Sequence, residues 1–89
     1  MSDAVSEREL ECLQHALGLN RNRNPYRNYF SAEPGSPDDC AFVEMERRGL
    51  ARLTRKPTPG FCPDNLWRVT EAGARAAGAT ADQARRIAS

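Results

Sequence analysis

Apolar positions along this chain keep two different periods, and the change between them marks out its elements. Leu10, Leu13 and Leu17 fall at i, i+3 and i+7 with Ala16 on the same stripe, the spacing of one helical face. Ser6 and Glu9 precede that stripe as a capping box, in which the hydroxyl accepts from the amide three residues on and the carboxylate reaches back. Glu7, Glu9 and Glu11 sit near the positive end of the helix dipole. Gly18 then supplies a stop, with Leu19 placed to fold back onto the last turn. The pattern predicts a helix over 6–17.

Periodicity disappears in Asn20 to Pro25, which is loop. Tyr26 to Phe30 is aromatic enough for a short strand, with Tyr26 and Phe30 turned inward and Arg27 and Tyr29 outward. After a Pro- and Gly-containing turn, Ser36 is placed as an N-cap, Pro37 at the first helical position, and Asp38 and Asp39 in the first turn. The helix predicted from Pro37 to Arg48 carries Ala41, Phe42 and Met45 on one side and closes at Gly49. From Leu50 the period drops to two. Leu50 to Arg55 alternates as a half-buried strand does, and Leu66 to Thr70 answers it with Trp67 and Val69 on one face. Between them Lys56 to Asn65 makes a long tip stiffened by Pro57, Pro59 and Pro63. Leu53 and Trp67 are expected in the core. Thr70 caps a short helix ending at Gly78, and Thr80 with Gln83 repeats the capping box for a weakly apolar tail, expected to be frayed or loosely docked.

Eighty-nine residues leave room for one core, so the expectation is a single α+β domain over 1–89, with its core at about 6–78 and the tail helix over 79–89. Hydrophobic residues at 39% and charged residues at 28% fit a globular domain better than a disordered one. No apolar run approaches the roughly 18 residues of a membrane span. The first ten residues lack the basic-then-apolar pattern of a signal peptide, so a cytoplasmic location is expected.

The formal net charge is only +1, but the charges are blocked. Acid dominates the first helix, Arg21, Arg23 and Arg27 follow, then Glu33, Asp38, Asp39, Glu44 and Glu46, then Arg47, Arg48, Arg52, Arg55 and Lys56. Three cysteines, Cys12, Cys40 and Cys62, are too few and too far apart for a disulfide framework. Cys12 and His15 share a helix face and could join Cys40 and Cys62 around zinc, yet zinc modules usually present two close pairs, and free cysteines more often fill small apolar gaps. No nucleophile elbow, paired acid/base carboxylates or phosphate-cradling glycine loop is present, so neither enzymatic activity nor a cofactor is expected.

From Pro37 onward, the segments Phe42 to Arg55 and Leu66 to Ala77 resemble the recognition helix, wing and following helix of the multiple-antibiotic-resistance-type winged-helix regulators. That resemblance implies a small winged-helix-like domain in which the Asn20 to Gly35 segment replaces one helix. Over nearly its full length the chain is also similar to a family of small phage and prophage proteins, chiefly through Pro25 to Phe30, which implies a phage origin and a bacterial host. A helix inserted into DNA would bring Asp38, Asp39, Glu44 and Glu46 against phosphates, which they repel. The leading expectation is therefore a non-catalytic protein that binds another protein of host or phage, as adaptor or inhibitor of nucleic-acid machinery. Its candidate contacts are Arg27, Tyr29, Asp38, Asp39, Glu44 and Phe61, the last an exposed anchor on the hairpin tip. The alternative is a DNA-binding regulator, monomer or dimer, that uses Arg21, Arg23, Arg52, Arg55 and Lys56 on phosphates.

Overall fold

The computed structural model describes residues 5–58, 60 and 63–88. Its elements follow the order α1 (Glu7–Leu17), β1 (Phe30–Ala32), α2 (Pro37–Arg47), β2 (Ala51–Arg55), β3 (Asn65–Val69), α3 (Glu71–Ala76) and α4 (Ala81–Ala88). The three strands form one antiparallel sheet in the order β1-β3-β2. The fold is a small α+β arrangement, and none of its described helices is long and apolar enough to cross a membrane.

Local signals set the helix ends. Ser6 Oγ accepts from the Glu9 amide at 3.1 Å and the Ser6 amide donates to Glu9 Oε1 at 2.9 Å, closing the capping box of α1. Gly18 turns left-handed at φ 81°, and the Leu19 amide donates to Gln14 O at 2.8 Å, a Schellman ending. The Tyr26 ring lies over this glycine, where a Cβ would come within 2.2 Å of Tyr26 Cε1. Ser36 caps α2 with Pro37 in the first turn, and Thr70 caps α3. The Thr70 hydroxyl also donates to Gly49 O at 2.7 Å, tying the exit of β3 to the entry of β2.

The aromatic strand begins four residues later than its composition suggests, because the amides before Phe30 are spent elsewhere. Tyr26 N donates to Leu17 O and Tyr29 N to Ala16 O, so this segment satisfies carbonyls that α1 leaves open at its end. Asn28 stands in for a strand residue with its side chain: Oδ1 accepts from Val69 N at 2.7 Å and Nδ2 donates to Val69 O at 2.9 Å. Tyr26 is accordingly not a core residue. Its side chain is 55% exposed, a correction to the inward placement expected from its type.

Trp67, Phe42, Leu13, Leu17 and Met45 are fully buried at the centre. The Phe42 and Trp67 rings stack with centroids 5.5 Å apart, and Phe30 closes on Phe42 at 4.9 Å. Leu53 is half-buried and packs against this cluster rather than within it. Alanines make up half of the buried cluster, and they let the short helices come close. At Gly73 no side chain is tolerated, since a Cβ would lie 2.0 Å from Leu50 O.

Two expectations are corrected here. Over its described residues the tail is docked and not loose: Thr80 and Gln83 form their capping box, Ala84 is fully buried, and Asn28 Nδ2 also donates to Ile87 O at 3.2 Å. Asp39 is not a surface residue. It is 5% exposed, and its carboxylate accepts from Gly35 N at 3.0 Å, Asn65 Nδ2 at 2.9 Å and Trp67 Nε1 at 2.9 Å. Burial alone would raise this carboxyl, but the hydrogen bonds from Gly35, Asn65 and Trp67 outweigh burial and hold it below the ordinary carboxylate value.

A group held low in the folded state contributes its stability in full above its unfolded value, near pH ~4, and loses it as pH falls through the folded one. Urea unfolding of wild type should therefore weaken on acidification from about pH 6 to about pH 3, and Asp39→Asn should weaken less steeply. At about pH 6 the variant should be less stable by roughly 1–3 kcal/mol, the cost of leaving buried donors short of an acceptor. Equal stability of the two proteins at both ends of that range would show that Asp39 is not the junction described.

Candidate functional site

Two of the candidate residues, Arg27 and Tyr29, are brought onto one face by the segment that joins α1 to β1. The Arg27 guanidinium donates to His15 O twice, from Nε at 3.1 Å and from Nη2 at 2.7 Å. It is also packed between two rings, 5.4 Å from the Tyr26 centroid and 5.9 Å from that of Tyr29. Arg27 is thus a positioned residue that serves the α1 terminus and orders the tyrosines beside it. Tyr29 projects with 54% of its surface exposed. Beside it lies a shallow groove of about 290 Å³ walled by His15, Arg27, Tyr29, Phe30 and Ser31.

A smaller hollow of about 90 Å³, lined by Arg8, Glu11, Cys12, His15, Phe30 and Asp38, adjoins it. His15 and Phe30 belong to both walls, so the two depressions form one surface running from Tyr29 to Asp38. The His15 ring meets Phe30 edge-on with centroids 5.3 Å apart, leaving imidazole and phenyl together as an amphipathic floor. The sequence offers His15 only as a possible zinc ligand and Phe30 only as an inward ring, and neither as a partner contact. The i, i+4 step from Glu11 to His15 places His15 on the outer edge of α1, but its meeting with Phe30 depends on where the chain returns.

The acidic helix is less bare than its sequence suggests. Asp38 accepts from Arg8 Nη1 at 3.1 Å. Glu44 pairs with Arg47 and lies 3.6 Å from Arg48, and the Arg47 hydrogen bond holds the Glu44 carboxyl below its ordinary value. Glu46 accepts from Leu53 N at 3.2 Å. Val43, 52% exposed, stands among these pairs. Glu44 therefore lies on α2 as part of a mixed-charge surface. Phe61 lies outside the described residues.

The basic candidates divide. Arg21 and Arg23 are exposed on the turn after Gly18, and Arg55 and Lys56 continue β2 towards the hairpin tip. Arg52 instead joins Arg68 and Arg85, two residues absent from the sequence candidates, around a cleft with Val69, Thr70, Glu71 and Ala88. Strand alternation could have found Arg68, because it lies between the inward Trp67 and Val69. Arg85 depends on the docking of α4.

Among the described residues no group of three or more His, Cys, Asp and Glu side chains could hold a metal. Cys62 lies outside those residues. Cys12 is buried and donates to Asp38 Oδ1 at 3.5 Å. Burial first, and the Asp38 charge second, push its thiol up to about 12. Compared with known proteins, the chain matches no family model, no curated protein and no solved structure.

Cys12 should consequently resist alkylation, since its thiolate is scarcer than that of an ordinary thiol by about 10³-fold near pH 8. Iodoacetamide labelling followed by peptide mass spectrometry should modify exposed Cys40 in the native protein and reach Cys12 only after denaturant is added. Comparable native labelling of both would overturn the burial and charge environment assigned to Cys12.

Proposed function

We propose that this chain is a non-catalytic binding module of winged-helix-like type that engages another protein through the surface from Tyr29 to Asp38. It acts as an adaptor or inhibitor within the nucleic-acid machinery of a phage or its bacterial host, a setting supported by the sequence resemblance alone. The winged-helix reading is supported by the strand order β1-β3-β2 and by a helix leading into a hairpin whose exit Thr70 caps. Only residues 33–36 separate β1 from α2, so the first helix of a helix-turn-helix pair has no place there. The outer face of α2 carries Asp38, Val43 and Glu44, which suits a groove full of phosphates poorly.

The observation that carries the reading is the shared His15–Phe30 floor, with exposed Tyr29 at one end and the Arg8–Asp38 pair at the other. Tyrosine and arginine are enriched at interface hot spots, tyrosine for large area at small conformational cost and arginine for its many donors, whose ordering costs more. Here that cost is already reduced, since Arg27 is bonded to His15 O and stacked on both tyrosines.

Affinity capture from a bacterial lysate tests this, with wild type, Tyr29→Ala, and Arg75→Ala on exposed α3 as the control. Tyr29→Ala should change stability by under about 0.5 kcal/mol, as for other exposed positions. A protein enriched by wild type and by the control should be lost from it, with Kd for that protein raised roughly 30-fold by a hot-spot loss of ~2 kcal/mol. Identical capture by all three baits, or no enrichment by wild type, would remove the basis for this reading.

A further inference from the structure

The outer face of the sheet holds an arrangement that the protein-binding surface does not use. In the β2–β3 ladder Arg52 stands directly opposite Arg68. Ala51, Trp67 and Val69 occupy the alternate positions and point into the core, so both arginines point away from it. Like charges in direct opposition weaken a ladder. Neither arginine forms an ion pair among the described residues, although Glu71 lines the same cleft. The packing of α4 then adds Ala88 and Arg85, which among the described residues forms an ion pair with Asp82 on its own exposed turn. The result is a cleft of about 350 Å³ whose walls carry three guanidinium groups and the Glu71 carboxylate, with Asp82 paired to Arg85 from outside the lining.

We propose that this cleft binds the phosphodiester backbone of a nucleic acid, without reading its bases. Guanidinium groups present forked donors that match phosphate oxygens, and a ligand with a charge at every step relieves the Arg52–Arg68 opposition. The line of cations favours a polymer over a small phosphate. Past the bulge between Leu53 and Arg55, Arg55 stands opposite Leu66 on the face of Arg52 and Arg68, three residues beyond Arg52 and about 10 Å at strand rise, the axial length of roughly three nucleotide steps in a duplex. Arg52 and Arg68 sit on the sheet strands and Arg85 on α4, which walls the cleft, so the proposed contacts are to backbone and carry no sequence preference. Glu71 repels the ligand and sets a ceiling on affinity. The cleft is independent of the Tyr29 surface, and the two together would let one small chain hold nucleic acid and a protein at once.

Fluorescence anisotropy with end-labelled, mixed-sequence oligonucleotides of about 20 nucleotides tests it, single- and double-stranded, over roughly 20 to 300 mM salt. Three phosphate contacts predict that log K falls with log salt at a slope of about 2 for single strands and nearer 3 for duplex. Arg68→Ala should weaken binding about tenfold and reduce the slope by about one. Arg52→Ala with Arg68→Ala should reduce it further, while Arg47→Ala, which removes the same charge from α2, should leave binding near wild type. Glu71→Gln should tighten binding about threefold by removing the repulsion. Tyr29→Ala should not alter it, which separates this outcome from failure of the protein-binding reading. The thermal midpoint of Arg68→Ala should equal or exceed that of wild type, because a like-charge pair has been relieved. No oligonucleotide binding at the lowest salt overturns the proposal, as does equal weakening by Arg47→Ala. So does competition by a mononucleotide or by polyglutamate as effective as that by the oligonucleotide, which would assign the cleft to a small phosphate or to an acidic protein segment.

Discussion

One buried carboxylate holds the two halves of this molecule in register. Asp39 lies in the first turn of α2, where the helix dipole favours negative charge, and it binds the Gly35 amide of the turn leading into that helix. Through Asn65 and Trp67 it also fixes β3. Trp67 could not be buried so completely without an acceptor for its indole N–H. With the indole placed, Phe42 stacks on it and Phe30 follows, so the floor of the proposed protein site derives from an interaction on the other side of those rings. Burying a charge is costly unless it is well bonded, and three donors make the cost acceptable here.

The second constraint is the open end of α1. Its last carbonyls are taken by Leu19 N, Tyr26 N, Tyr29 N and the Arg27 side chain, so residues 19–29 are laid against the helix terminus and not into the sheet. This explains why the aromatic segment is exposed. The amides that would have made it a strand are already engaged, and the tyrosine rings are left facing outward. Arg48, paired with Glu9 at 2.5 Å, ties the end of α2 to the start of α1, the opposite end of that helix.

Much of this architecture is legible in the chain because its signals are local. Ser6, Ser36, Thr70 and Thr80 each sit one turn from the amide they cap, and Gly18 and Gly49 stop their helices by conformation alone. The hairpin follows from alternation. What could not be read depends on partners distant in sequence. Asp39 looks like Asp38 beside it until Trp67, 28 residues on, turns out to need it. Asn28 resembles loop until Val69 arrives, and Arg85 means little until α4 docks on α3 beside the sheet. The same holds for the proposed sites: Tyr29 and Arg52 stand out by type, whereas His15, Phe30 and Arg68 come into view only through what they adjoin.

The hairpin is fastened at its base. Ala51 pairs with Val69, the Thr70 amide donates to Leu50 O at 3.1 Å, and the Thr70 hydroxyl grips Gly49 O. Nothing in this closure draws on the length of the connection between β2 and β3. Doubling a flexible loop costs only about 0.6 kcal/mol in closure entropy. The connection is therefore a natural graft point, where extra residues or a reporter sequence can be carried while the frame below them keeps its shape.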